Sequence, residues 1–166
     1  MAPDAHVSTG RLPPPETVQA WVDEAHARYR TNAEGATSTV YPALAQAPPD
    51  LFGICVVGTS GRAFTAGHAD RDFTIMSVSK PFVFALVCEQ LGPDAVRDRI
   101  GVNGTGLPFN SLTAVERSDD GRTNPMVNSG AIATTSLAPD WAFLHEGLSR
   151  FAGRELPFDD EVYASA

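Results

Sequence analysis

The sequence predicts an α+β domain from three observations. A β-rich segment at 51–57, a glycine-containing turn at 58–61 and a returning segment at 62–66 are typical of a β-hairpin. Apolar residues recur at helical spacing from 17 to 29, ahead of the hairpin, and a continuous apolar run at 81–88 follows it. With 166 residues and 43% apolar content, the chain has room for one modest domain with a core.

The chain begins with a polar, proline-containing segment. Residues 1–16 include Pro13, Pro14 and Pro15 and are expected to form a mobile, polyproline-like lead, which leaves 17–166 as the domain. Thr17 is expected to cap the first helix, which then runs to about Tyr29. Residues 32–49, rich in small residues and prolines, are predicted to be a loop.

Charge and hydropathy exclude several classes of partner. The net charge of −8 disfavours nucleic acid and anionic membrane surfaces, because an acidic protein is repelled by both. The apolar run 81–88 is far shorter than the roughly 20 residues of a membrane span. The N-terminal residues lack the pattern of a signal peptide, so the sequence predicts a cytoplasmic protein, and a small-molecule substrate stays open.

Cysteines and histidines give no sign of a metal site or disulfide. Cys55 and Cys88 lie in apolar stretches and are expected to be buried small hydrophobic residues. The histidines are His6, His26, His68 and His145. They have no ligand-like spacing, so no metal and no organic cofactor are expected.

The only lysine, Lys80, follows Ser77 by three residues, which is the spacing of the Ser-x-x-Lys acyl-transfer motif. On a helix these positions share a face, so a neutral lysine amine would reach the serine hydroxyl and activate it as a nucleophile. Pro81 places the start of this helix at or just before Ser77, because proline is tolerated only in the first turn. The apolar run that follows predicts a buried helix, and burial favours a neutral amine. The alternative is that Ser77 merely caps the helix.

A second polar segment runs from 124 to 132 and leads into a predicted helix. Its carboxamides, Asn124 and Asn128, can both donate and accept hydrogen bonds to a polar ligand. The alternative is structural: Asn124-Pro125 is then only a turn, and Ser129 a helix cap.

Taken together, these motifs resemble the serine-dependent glutaminases, relatives of the β-lactamases and penicillin-binding proteins. That family has Phe-x-x-Gln-Ser-x-x-Lys, then a glycine-rich stretch ending in Phe-Asn, then Asn-Pro-Met/Phe-Val/Ile-Asn-Ala-Gly-Ala-Ile. The matching segments here are 73–80, 101–111 and 124–132. The resemblance extends from about Tyr41 to the end of the chain and implies a β-lactamase/transpeptidase-like fold.

The resemblance implies hydrolysis of L-glutamine to L-glutamate and ammonia through an acyl-enzyme. Ser77 is then the nucleophile and part of the substrate site, Lys80 the base, and Asn128 a ligand of the substrate's amino-acid end. Backbone amides, including that of Ser77, would stabilise the oxyanion. The family resemblance also implies a homo-oligomer, a dimer or tetramer, for the complete protein.

Several departures from the family pattern affect these expectations. The family has a substrate-contacting glutamate where Ala166 ends this sequence, so the chain resembles the N-terminal half of a glutaminase and 17–166 an incomplete catalytic domain. Such a half should expose an apolar sheet edge and helix face, should have poor stability or need a partner, and should release no ammonia on its own. Met76 replaces the glutamine before the serine. Val40 occupies the position of a family tyrosine, with Tyr41 one residue later.

Two other classes of function stay open at this stage. One is a non-catalytic fragment or interaction module that retains the motifs without a working site. The other is a different Ser-x-x-Lys hydrolase, of the β-lactamase or esterase type, although the sequence has no Lys-Thr-Gly triplet.

Overall fold

The computed structural model describes residues 13–165, which separate into two compact units. Of the described residues, one unit contains 13–73 together with 159–165, and the other is Thr74–Phe158. Most of the predicted N-terminal lead, and the final residue Ala166, lie outside the described residues.

The first helix, α1, spans Pro15–Tyr29 with Pro14 as its N-cap, so it begins three residues earlier than expected. Proline is favourable at the first helical position, since its fixed φ suits the helix and its missing N–H has no partner to lose. Thr17 is therefore not the cap; its backbone N–H donates to the carbonyl of Pro14 at 3.0 Å. Pro15 and Glu16 belong to the helix and not to the lead.

The predicted hairpin is present as strands β1 (Gly53–Val57) and β2 (Ala63–Gly67), which pair antiparallel from Gly53 opposite Gly67 to Val57 opposite Ala63. Helix α1 lies against it: the Gln19 carboxamide donates to the Thr65 carbonyl at 3.1 Å. Between helix and hairpin lies a 3₁₀ helix, Pro42–Gln46, in the predicted loop. The short helix Asp160–Ala164 packs on this turn, and the Ala43 N–H donates to the Ser165 hydroxyl.

One face of the hairpin is open. Strand side chains alternate between faces, and the half-buried set is Ile54, Phe64 and Ala66. On the other face Val57 is 63% exposed. Cys55 is exposed on that face as well, so its predicted burial is wrong. The burial of Cys55 was predicted from its apolar neighbours in the sequence. Those neighbours carry no information on whether another element covers the face of the hairpin on which Cys55 lies, and no described element does.

The second unit is helical. After a 3₁₀ turn, Met76–Val78, its helices are α2 (Ser79–Leu91), α3 (Pro93–Ile100), α4 (Thr113–Glu116), α5 (Asn128–Thr135) and α6 (Trp141–Ala152). Helices α3, α5 and α6 pack on α2. The core consists of Val83, Val87, Val96, Ile100 and Leu144.

Helix α2 begins close to the predicted position, with Pro81 in its first turn. The expectation that it is buried all round is wrong, because its neighbours cover only one side. Leu86 and Val87 are buried, whereas Ala85 is exposed and Val78, just ahead of the helix, is 56% exposed. Within residues 13–165, no helix combines the length and hydropathy needed to cross a membrane.

Candidate active site

Ser77 lies in the 3₁₀ turn that leads into α2, and its side chain is exposed. The residue before it, Met76, has a φ of 43°, a left-handed conformation that is costly for a residue with a side chain. The Ser79 hydroxyl donates to the Met76 carbonyl at 2.7 Å and helps to hold this conformation. Sequence reasoning did not identify this strained turn. The only available signal was a hydroxyl three residues after Met76.

Lys80 is half-buried, and its amine is held by two acceptors from a distant part of the chain. The Nζ atom donates to Oδ1 of Asn128 at 2.8 Å and to the backbone carbonyl of Met126 at 3.2 Å. The structure therefore joins two residues that the sequence selected separately, 48 positions apart. Among the hydrogen bonds of the described residues, Lys80 has none to Ser77, so proton transfer between them stays a prediction.

Asn124 has a structural role in the segment that carries these acceptors. Its Oδ1 accepts from the backbone N–H groups of Met126 at 2.9 Å and of Val127 at 3.3 Å, and its Nδ2 donates to the Asn103 carbonyl at 2.9 Å. This is the turn interpretation of Asn124-Pro125. Ser129 does not cap α5; its hydroxyl lies 3.3 Å from the hydroxyl of Thr123.

Gly130 allows this segment to pack closely on the first turn of α5. A Cβ at Gly130 would lie 2.6 Å from the carbonyl carbon of Asn124 and 2.9 Å from the hydroxyl of Thr123. Side-chain carbons essentially never approach other atoms closer than 3.0 Å. The glycine therefore helps to determine where Met126 and Asn128 lie relative to α2.

Asn128 is also fixed through its backbone. Its N–H donates to the carbonyl of Phe109 at 2.8 Å, and the Phe109 ring centroid lies 5.7 Å from Lys80 Nζ. Asn128 is exposed, and the Nδ2 group of its carboxamide is a donor suited to a polar ligand.

Other polar groups of this unit serve different purposes. The Arg122 guanidinium bonds the Asp120 carboxylate and lowers the pKa of that group, while Asp120 raises the pKa of Arg122. Both residues line a polar cavity of about 370 Å³ beside α3, and Ser77 and Lys80 do not line it. Burial raises the pKa of the Cys88 thiol, which makes it a poor nucleophile.

No group of three or more His, Cys, Asp or Glu side chains in the described part of the chain is arranged to hold a metal ion. Tyr41, the possible substitute for the family tyrosine, precedes the 3₁₀ helix Pro42–Gln46 in the first unit.

Comparison with known proteins gives consistent matches. Residues 35–166 match the family model described as glutaminase. The chain is 61% identical to "Glutaminase 2" of Yersinia pestis, in an alignment that covers 97% of this chain and 49% of the relative. It is 39% identical to a glutaminase of Colwellia psychrerythraea, covering 93% of this chain and 52% of the relative. The chain thus spans about half the length of the curated relatives it matches.

Solved structures agree in fold. A probable glutaminase, ybaS, superimposes with a TM-score of 0.87 at 36% identity, over 92% of this chain and 52% of that one. A probable glutaminase from Bacillus subtilis, complexed with 6-diazo-5-oxo-L-norleucine, gives a TM-score of 0.73 at 25% identity, over 98% of this chain and 49% of that one. The predicted fold class is confirmed: the two units form part of the β-lactamase-like α+β fold of these enzymes.

Proposed function

The chain belongs to the glutaminase family, and from this premise we propose that it supplies the nucleophile, the base and a substrate ligand of an enzyme that hydrolyses L-glutamine to L-glutamate and ammonia. One observation carries the assignment of the site. The only lysine of the chain, Lys80, bonds Asn128, the residue that the family pattern assigns to substrate binding.

The two acceptors around Lys80 suit a base. A neutral amine has two N–H donors and one lone pair, whereas an ammonium has three donors and no lone pair. The Met126 carbonyl and the Asn128 Oδ1 accept two hydrogens from Nζ. In the neutral form this arrangement satisfies both N–H groups and leaves the lone pair to take the proton of Ser77.

The proposed reaction has two steps. In the first, the Ser77 hydroxyl oxygen attacks the side-chain amide carbon of glutamine while its proton passes to Lys80 Nζ. The tetrahedral intermediate collapses, the C–N bond breaks, and the leaving nitrogen takes the proton to depart as ammonia. In the second, water attacks the ester carbon of the acyl-enzyme, gives a proton back to the serine oxygen through Lys80, and releases glutamate.

Asn128 has a place in the same proposal. Its Oδ1 is occupied by Lys80, so its contribution to the substrate is a hydrogen bond donated from Nδ2. One side chain then contacts both the base and the amino-acid end of the substrate, which makes the position of the base sensitive to correct binding.

The two other classes of function predict different results from this proposal. A non-catalytic fragment would keep the fold without turnover, and a β-lactamase or esterase would open a lactam or an ester. Family membership favours the glutamine amide over both of these substrates.

The experiment uses a chimera in which this chain replaces the matched segment of the Yersinia pestis relative. We expect it to release ammonia from glutamine, and Ser77→Ala and Lys80→Ala each to abolish that release, because the nucleophile and its base act as a unit. Asparagine, nitrocefin and a nitrophenyl ester serve as competing substrates. The 166-residue chain alone is assayed beside the chimera, and we expect no turnover from it.

Covalent labelling gives an independent reading of the nucleophile. Incubation of the chimera with 6-diazo-5-oxo-L-norleucine should add the reagent to the peptide that contains Ser77, as detected by mass spectrometry. Attachment at another residue, or near-normal turnover in Lys80→Ala, would contradict the assignment.

We also propose a cytoplasmic location and a homo-oligomeric state, a dimer or tetramer, for an enzyme that contains this chain. The support for the oligomeric state is the family resemblance, and the location repeats the prediction made from the sequence. Light scattering of the purified chimera measures the assembly, and cell fractionation the location.

A further inference from the structure

Phe109 contacts both members of the hydrogen-bonded pair Lys80–Asn128. It belongs to the matching segment 101–111, from which the sequence assigned no residue to the site. Its backbone carbonyl accepts the N–H of Asn128 at 2.8 Å. Its ring centroid lies 5.7 Å from Lys80 Nζ, within the range of a cation–π contact. The pair itself is joined at 2.8 Å between Nζ and Oδ1. The three residues therefore form a closed set of contacts.

Core packing does not account for the ring of Phe109. Phe109 is 62% exposed, and it is not one of the residues that form or line the hydrophobic core of this unit. By contrast Phe84 and Phe143 are half-buried against that core. The ring of Phe109 is thus placed beside an amine and not inside an apolar cluster.

The face of an aromatic ring has properties that suit this position. It attracts an ammonium through the ring quadrupole and resists approach by water. A carboxylate at the same place would form an ion pair and keep the amine as an ammonium. A ring attracts the ammonium more weakly than a carboxylate does, and its face has no hydrogen-bond donor that would occupy the lone pair of the neutral amine.

We infer that Phe109 is a positioning residue, whose ring confines the Lys80 amine against Asn128 and Met126 while its carbonyl fixes the backbone of Asn128. The catalytic consequence of this rests on the proposed glutaminase function; the structural part does not. The two contacts come from different atoms, so a side-chain substitution removes the ring and leaves the carbonyl.

The structural part is tested on the 166-residue chain by NMR with side-chain 13C-labelled lysine. Because Lys80 is the only lysine, the spectrum contains a single Cε–Hε signal. We expect this signal to be shifted upfield by the ring in the wild type, to move toward that of free lysine in Phe109→Leu, and to stay shifted in Phe109→Tyr. Phe158→Leu, an exposed phenylalanine beside Trp141, is the matched control and should leave the signal unchanged.

The catalytic part is tested in the chimera. Phe109→Leu is expected to lower kcat by about 2- to 5-fold, the range of an exposed cation–π contact, with KM unchanged because the carbonyl still holds Asn128. Phe109→Tyr, which keeps an aromatic ring, should have the kcat of the wild type. A rise in KM at constant kcat would overturn the inference, since it would mean that the ring binds substrate.

Two results of the NMR experiment also overturn it: an unchanged signal in Phe109→Leu, or a loss in Phe109→Tyr as large as in Phe109→Leu. If the chimera has no glutaminase activity at all, the proposed function fails, and the NMR signal still decides whether Phe109 positions Lys80.

Discussion

Substitution of Gly130 by alanine tests whether the close packing of the 124–130 segment places the acceptors of Lys80. The added Cβ would clash most closely with the carbonyl oxygen of Asn124, and it would lie 2.6 Å from the carbonyl carbon, against a limit of 3.0 Å for real Cβ contacts. That carbon must therefore retreat by at least 0.4 Å, and Met126 and Asn128 follow it in the chain.

Two effects of this substitution oppose each other in the free energy of unfolding. Gly130 is in helix α5, where alanine is preferred over glycine by about 1 kcal/mol. Overpacking of a buried site costs about 1–3 kcal/mol, and the contact here is with backbone that cannot rotate away. Because the clash is with backbone, we place the steric cost at the upper end of this range, about 3 kcal/mol, and subtracting the gain of about 1 kcal/mol leaves a net loss of about 2 kcal/mol.

Urea denaturation measures the loss, and the single Lys80 NMR signal reports whether the site has moved. Gly104→Ala is the matched control, since a Cβ there meets nothing within 4 Å. It should raise stability by about 0.4–1 kcal/mol through the unfolded state and leave the Lys80 signal in place. If Gly130→Ala were as stable as the wild type, the packing argument for this glycine would be refuted.

Three further substitutions have expected outcomes. In the chimera, Asn128→Ala should reduce kcat/KM by about 100-fold or more and should affect both constants, because the side chain contacts Lys80 and, in the proposal, the substrate. Met76→Gly should give a slightly higher urea midpoint, since release of about 1–2 kcal/mol of left-handed strain exceeds the cost of about 0.5–1 kcal/mol for glycine; a clear fall would count against strain. Arg122 holds the pKa of Asp120 below its ordinary 3.8, so the carboxylate stabilises the fold above about pH 4 and the contribution disappears as pH falls below that. Wild type and Asp120→Asn should therefore differ in urea midpoint at neutral pH and converge in acid; a constant difference would contradict this.

Several elements could be predicted because their causes are local in the sequence. The hairpin follows from a turn flanked by β-rich segments, and the start of α2 from the position of Pro81. The burial of these elements could not be predicted in the same way. Apolar neighbours along the chain look alike whether or not another element covers them, which is why Cys55 is exposed and α2 is covered on one side only.

The sequence by itself determined the α+β class and the family, and it selected Ser77 and Lys80 as the candidate nucleophile and base, because a single lysine three residues after a serine is visible without any structure. It also selected Asn128, through its motif. Only the tertiary structure brought Lys80 to Asn128 and Met126, and Phe109 to both. The physical reason is distance along the chain: contacts across 48 residues depend on how α5 packs against α2, and no rule that acts within a few residues specifies that packing.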